Sequence, residues 1–137
     1  MSDKLVERVL SEPSEEVDRL ATLVIGCAIE VHRHLGPGYI EEVYEEALCE
    51  ELRLSKIPFQ RQAAFAIHYK GKKVGEGRLD LLVGGQLIVE LKAVTAIAPV
   101  HQAQAKSYLK ATSLQLALLI NFNVPILKEG IKRIVLS

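Results

Sequence analysis

At 137 residues the chain is long enough for one domain with a sizeable core, and its 49% hydrophobic and 25% charged residues are ordinary for a soluble globular protein. No apolar run is long enough to span a bilayer, and residues 1–4 do not begin a signal peptide, which argues against a membrane or secreted protein. Cys27 and Cys49 have no metal-ligand partner nearby in the sequence, so we expect packing residues in a reduced, cytoplasmic compartment.

The net charge of zero hides a division between the two halves of the chain. Residues 1–60 contain 6 Lys and Arg against 13 Asp and Glu, a net charge of −7, whereas residues 61–137 contain 11 against 4, a net charge of +7. Such asymmetry allows a basic surface for a polyanion. It is equally compatible with subunits that pair an acidic half with a basic half.

The N-terminal half predicts two helices after a charged lead-in over residues 1–13. Ser14 can cap the first helix, whose apolar residues recur at helical spacing as far as Leu35. The glycines and proline of residues 36–38 end that helix, and an apolar stripe over residues 40–52 predicts the second. The opposite face of the second helix is acidic and carries Glu41, Glu42, Glu45, Glu46, Glu50 and Glu51.

The pattern changes to the alternation of β-strands after Pro58. Apolar residues alternate over 65–69, and the Lys- and Gly-containing residues 70–73 indicate a hairpin turn. Two further strands flank Gly84 and Gly85, which completes a meander of three strands.

The remaining sequence predicts one helix and one or two strands. Pro99 suits the first turn of a helix that runs to about Thr112. The apolar residues 114–122 indicate a strand buried on both faces, and residues 131–136 can add an edge strand. The fold expected from this order is an α/β (α+β) mixed sheet between helices, in a single domain over residues 14–137.

Asp80, Glu90 and Lys92 are the most informative residues of the meander. Side chains alternate along a strand, so Glu90 and Lys92 share one face while Leu91 points to the other. Two carboxylates and an ammonium are costly in an apolar sheet unless they have a use, and a divalent cation between the carboxylates would create a hydrolytic site. The alternative is a cross-strand salt-bridge cluster on a solvated face, which the apolar flanks disfavour.

The metal-site hypothesis requires a particular geometry of the turn between the two strands. A two-residue hairpin would pair Val83 with Gln86 and place Asp80 and Glu90 on opposite faces. A shared cation therefore requires either a three-residue loop over residues 84–86 or a bulge near Asp80.

Two other groups of polar residues are candidates for the same site. His101, Gln104 and Tyr108 share one face of the predicted helix, which is either solvated or packed over the sheet with Gln and Tyr reaching the site. A histidine at a helix start is most often a cap or a surface residue. Glu41 lies in the first turn of its helix, where it either complements the helix dipole or serves as a third carboxylate.

The chain resembles the GxxExxY protein family. Gly38, Glu41 and Tyr44 have the spacing that gives the family its name, and residues 88–93, 98–101 and 119–125 resemble its later blocks in the right order. The family is similar to a compact branch of the PD-(D/E)XK nuclease superfamily. This resemblance implies a restriction-endonuclease-like α-β-β-β-α-β core with an extra N-terminal helix.

The resemblance also implies roles for the candidate residues. It makes Asp80 and Glu90, with the Leu91 carbonyl and Glu41, the ligands of Mg²⁺ or Mn²⁺, and Lys92 the catalytic lysine. Gln104 and Tyr108 match a Gln-x-x-x-Tyr element of some nucleases, and with His101 they are candidates for substrate binding. The one departure is Leu79, which occupies the position of the proline in the superfamily name.

The expected activity is a metal-dependent nuclease that hydrolyses phosphodiester bonds, with DNA favoured over RNA as the partner. The alternative is a non-catalytic module that binds nucleic acid or assembles with proteins, and the intact set of Asp80, Glu90 and Lys92 favours catalysis. A small core leaves little surface for substrate, so a homodimer or a larger complex is attractive. We expect the acidic face of residues 41–51, apart from Glu41, to lie away from the groove beside Lys92.

Overall fold

The computed structural model of the chain describes residues 12–136, so the predicted lead-in lies almost wholly outside the described residues. The helices are α1 (Glu15–Leu35), α2 (Glu41–Leu54) and α3 (Pro99–Thr112), and the strands are β1 (Phe59–Tyr69), β2 (Lys72–Val83), β3 (Leu87–Lys92), β4 (Leu116–Asn121) and β5 (Ile131–Ile134), with a 3-10 turn at Leu127–Gly130. The expected mixed α/β fold is confirmed, and α1 is the helix added in front of the α-β-β-β-α-β core.

The five strands form one sheet in the order β1-β2-β3-β4-β5. The β3–β4 pair is parallel, and the other neighbouring pairs are antiparallel. One face packs against α1 and α2 in the main core, to which Leu81, Val89 and Leu91 belong. The other face packs against α3 in a smaller core that contains Leu79 and Ile88. Within the described residues no helix has the length and apolar content needed to cross a membrane.

Tyr44 fixes the junction between the first two helices. Its side chain is fully buried and its ring stacks on Phe122, with centroids 4.5 Å apart and planes within 8° of parallel. Its hydroxyl donates to the Gly36 carbonyl at 2.6 Å and accepts from the Tyr39 amide at 3.2 Å. The tyrosine of the GxxExxY spacing therefore anchors the glycine-rich elbow that starts α2, and with it the first-turn position of Glu41.

The loop between β2 and β3 has the three residues that the metal-site hypothesis requires. Val83 pairs with Leu87, and both Gly84 and Gly85 have positive φ angles, 59° and 68°. The pairing of Leu81 with Val89 follows from this loop length. Continued by one residue along each strand, the same register places Asp80 opposite Glu90, and residues opposite each other share a sheet face. The prediction of an offset turn is confirmed.

The β1–β2 hairpin is the longest feature of the sheet. Its strands have 11 and 12 residues and meet at a two-residue turn of Lys70 and Gly71, which lies within the predicted turn over residues 70–73 but is shorter, because Lys72 and Lys73 already belong to β2. β2 pairs with β3 only over Leu81–Val83, so residues 63–79 extend past β3.

The other sequence predictions deviate only at element ends. The buried strand is shorter than the predicted residues 114–122, because Leu114 packs beside α3 in the smaller core before β4 begins. Both cysteines are buried in helices and neither is bonded to another cysteine, so the expectation that they are packing residues is confirmed.

Candidate active site

The carboxylates of Asp80 and Glu90 replace backbone pairing where β2 and β3 separate. The Asp80 amide donates to Glu90 Oε1 at 3.2 Å, and the Leu91 amide donates to Asp80 Oδ2 at 2.8 Å. Glu90 is only 5% exposed. A salt-bridge cluster on a solvated face is therefore excluded, and two acidic side chains meet inside the sheet.

Glu90 is held in an environment that disfavours its charged form. Burial, together with the negative charge of Asp80, raises the pKa of Glu90 to about 8, and Lys92 opposes both effects. Carboxylate and carbonyl oxygens are the ligands that hard divalent cations bind, so the chemistry of this pair and of the Leu91 carbonyl fits such a cation.

Lys92 belongs to the same face as Glu90. Because Leu91 packs in the main core, alternation directs Glu90 and Lys92 towards the α3 side of the sheet. In the parallel β3–β4 pair Lys92 faces Asn121, whose buried amide bonds both the amide (3.1 Å) and the carbonyl (2.9 Å) of Val94. Asn121 thus fixes the chain just beyond the lysine, a role that the sequence does not reveal.

The three polar residues of α3 have different environments. Tyr108 is partly buried, contacts Phe65 edge-on at a centroid distance of 4.9 Å, and has a pKa raised by burial and then by the charges of Glu90 and Asp80. It therefore lies within the field of the carboxylates. Gln104 is exposed on its helix. His101 accepts a hydrogen bond from the Ala98 amide at 3.0 Å, so it caps α3 as the structural interpretation of this residue predicts.

A cleft of about 510 Å³ opens beside Asp80 on the α2 side of the sheet. It is lined by Glu41, Glu42, Glu45, Glu46, Arg61, Gln62, Asp80 and Leu91. Glu41 thus shares a cleft with Asp80, as its proposed role requires. Glu42, Glu45 and Glu46 also line the wall, but Lys92 does not, so the expectation that the rest of the acidic face lies away from the groove beside Lys92 stays a prediction.

Arg61 on β1 explains why acidic residues can face the sheet. Its guanidinium donates to Glu45 Oε2 and Glu46 Oε1, both at 2.7 Å, and these bonds raise the pKa of Arg61. The Gln62 amide donates to Glu45 Oε1 at 2.8 Å, so the nearly buried Glu45 has two partners. This Arg61 network ties α2 to β1. Helical patterning alone assigns Glu45 and Glu46 to solvent, since the partners lie 15 to 17 residues away in the chain.

Gln62 has a backbone conformation that opens the sheet at the site. Its φ is 52°, unusual for a residue other than glycine. Arg61 pairs with Leu81 and Ala63 with Leu79, so the position between them would pair Gln62 with Asp80, and that pair is missing from the ladder. At this position of β2 the Asp80 amide donates to the side chain of Glu90 on the neighbouring β3. Strain of this kind persists where the surroundings fix it, here the bond to Glu45.

The carboxylates do not converge as a set of three. Within residues 12–136 no group of three or more His, Cys, Asp or Glu side chains is arranged to hold a metal ion. Asp80 and Glu90 meet directly, whereas Glu41 is exposed at the edge of the cleft.

The comparisons with known proteins identify one family. A family model described as the PD-(D/E)XK nuclease superfamily matches residues 18–134, which includes every strand and helix of the core. No match to the chain is found among the curated proteins or the solved structures.

Proposed function

The chain belongs to the PD-(D/E)XK nuclease superfamily, and from this we propose that it is a metal-dependent nuclease that hydrolyses phosphodiester bonds. The observation that supports the proposal most directly is the buried contact between Asp80 and Glu90, with Lys92 on the Glu90 face of the same strand. More narrowly, the spacing of Gly38, Glu41 and Tyr44 supports membership of the GxxExxY branch.

Asp80, Glu90 and the carbonyl of Leu91 are the proposed ligands of Mg²⁺ or Mn²⁺. When bound, the ion supplies a water of lowered pKa and polarises the scissile phosphate. Mg²⁺ usually keeps several of its waters in proteins. The proposed contribution of Glu41 is therefore compatible with its place at the cleft edge, where its carboxylate can accept a hydrogen bond from one of these waters.

Lys92 is the proposed catalytic lysine. Its ammonium group holds the attacking water in place, or as the free amine it takes a proton from the water oxygen, and it offsets the negative charge that develops on the phosphate. Tyr108 borders the same carboxylates and is the proposed contact to a phosphate oxygen, with Gln104 and His101 as weaker candidates from the same helix. DNA as the preferred substrate, a homodimer and a cytoplasmic location stay predictions.

The test compares the wild type with Lys92→Ala and Asp80→Asn on labelled DNA and RNA in the presence of Mg²⁺ or Mn²⁺. Lys92→Ala should abolish hydrolysis but bind Mn²⁺ in calorimetry almost as the wild type does, because lysine is not a ligand. Asp80→Asn should lose both hydrolysis and most of the affinity for Mn²⁺. Lys106→Ala, which removes an exposed lysine from α3, is the matched control and should cleave normally.

Two outcomes would decide against the proposal. Cleavage by Lys92→Ala at the wild-type rate contradicts the catalytic assignment. Nucleic-acid binding by the wild type without any cleavage in either metal would favour the alternative, a nuclease fold used as a binding module.

A further inference from the structure

The end of the β1–β2 hairpin carries positive charge and exposed apolar side chains together. We define the hairpin tip as residues 67–74. Tyr69 is 63% exposed and Val74 57%, and exposed apolar side chains grouped on one surface are typical of interaction sites. The tip carries the lysines Lys70, Lys72 and Lys73.

Most of the positive charge of the tip is uncompensated. Lys73 bonds Glu76 at 3.1 Å, and Glu76 is the one acidic residue between Arg61 and Asp80. No carboxylate within the described residues bonds Lys70 or Lys72, and the ammonium of Lys70 lies 5.4 Å from the centre of the Tyr69 ring. Lysines on an edge strand also protect against aggregation, but exposed Tyr69 and Val74 would work against that purpose.

The hairpin is built to hold its tip in a defined place. At its base Phe65 packs on Tyr108, and Ala63 belongs to the core under α3. At its far end Lys70 and Gly71 have φ angles of 50° and 83°, the two positive values of the hairpin turn that matches the natural twist of the strands.

The tip also supplies what the cleft lacks. Five carboxylates and one guanidinium line the cleft beside Asp80, so phosphates are repelled there unless cations are bound. Phosphate binding requires positive charge elsewhere on the same molecule. Along β2 the eight steps from Lys72 to Asp80 span about 26 Å, which corresponds to roughly seven or eight base pairs of duplex DNA.

We propose that the hairpin tip is a nucleic-acid-binding arm that contacts phosphates of a duplex at a distance of about seven base pairs from the bond held beside Asp80. The inference rests on the proposed function and adds the surface that gives the enzyme its affinity for the polyanion. Lys70 and Lys72 bind phosphates, and Tyr69 lies against the sugar–phosphate edge between them.

The test uses a fluorescein-labelled DNA duplex of about 30 base pairs, with Ca²⁺ in place of Mg²⁺, and a series of salt concentrations. The double variant Lys70→Gln/Lys72→Gln should bind about tenfold more weakly or worse at 100 mM salt. The slope of log affinity against log salt should fall by about two, because two phosphate contacts no longer release counterions. The matched control is Lys128→Gln/Lys132→Gln, which removes two exposed lysines near β5, the opposite edge of the sheet, and should bind as the wild type does.

The two proposals fail in different ways. If the wild type cleaves DNA while the hairpin variant binds with unchanged affinity and slope, the arm is wrong and the nuclease stands. Equal losses in the hairpin variant and the β5-edge control would also overturn the arm, because they indicate only a general effect of charge. A wild type that neither binds nor cleaves nucleic acid would overturn both proposals. Circular dichroism of each variant checks that the fold is intact.

Discussion

Glu90 has its carboxyl group buried in the sheet beside Asp80, and burial raises its pKa to about 8 from an ordinary value near 4.5. The folded protein therefore retains a proton in a pH range where the unfolded chain has lost it. By linkage, the proton on Glu90 contributes stability that is fully present below about pH 4.5. This contribution is lost as the pH rises through about 8. With chelator present, we expect the free energy of unfolding to fall by roughly 3–5 kcal/mol from this group between those limits.

Chemical denaturation of the metal-free protein at pH 5 and pH 8 measures this loss. Glu90→Gln has no proton to lose and should remove most of the pH dependence. The informative quantity is the difference between wild type and variant, because it isolates the contribution of this one group. Glu76→Gln, at an exposed acid on β2, is the control and should keep the wild-type profile. An unchanged profile in Glu90→Gln would mean that Glu90 has an ordinary pKa.

Arg61 stabilises the wall of the cleft by binding two carboxylates of α2. Replacement by Gln would leave the nearly buried Glu45 with one partner fewer. We expect the free energy of unfolding to fall by about 1–3 kcal/mol, which is less than for a fully buried ion pair, because the side chain of Arg61 is itself 35% exposed. Arg53→Gln breaks a pair with Glu50 that is exposed on both sides and should cost clearly less, because solvent screens such a pair. Urea denaturation near neutral pH compares the two variants. Equal losses would show that the Arg61 network contributes no more than a surface ion pair.

At the scale of elements, the β2–β3 loop sets the alignment of the site through two glycines. Gly84 and Gly85 both have positive φ, so alanine at either position costs about 1 kcal/mol in backbone strain. A Cβ at Gly84 would also lie 2.8 Å from a methyl group of Leu20 in the main core, whereas a Cβ at Gly85 meets nothing within 4 Å.

Gly84→Ala should therefore destabilise the protein by about 1 kcal/mol more than Gly85→Ala, because Leu20 must shift in a packed core. Thermal or urea unfolding of the two single variants measures the difference. Gly85→Ala is the matched control, since it shares the strain and lacks the contact. If Gly85→Ala proves the more damaging, the loop conformation assigned here is wrong.

Sequence patterns predict the elements well and the contacts between them less well. The bounds of α3 follow from Pro99 at its start and from apolar spacing, and the three-residue loop follows from requiring Asp80 and Glu90 on one face. The left-handed Gln62 has no local signal, because glutamine does not favour positive φ and its conformation depends on Glu45 in another element. The Arg61 network has no local sequence signal either, because its hydrogen bonds form only when α2 packs on β1.

For the whole molecule, the charge division of the sequence becomes a division of surfaces. Acidic α2 residues line the cleft beside Asp80, while lysines occupy the tip of the hairpin that extends past β3. A polyanion approaching this molecule is attracted at the tip and repelled at the cleft. The cleft carboxylates would therefore make any binding of nucleic acid depend on cations.

This dependence predicts that divalent ions change binding itself, in addition to enabling cleavage. Replacing chelator with Ca²⁺ should raise the affinity for a labelled 30-base-pair duplex by about tenfold or more at constant ionic strength, because a cation held by Asp80 and Glu90 reduces the negative charge that faces the phosphates. Fluorescence anisotropy measures the change. Asp80→Asn removes a ligand and one negative charge, so it should bind more tightly than the wild type in chelator and gain little from Ca²⁺. Equal wild-type affinity in chelator and Ca²⁺ would mean that nucleic acid is held by the hairpin tip alone and does not enter the cleft.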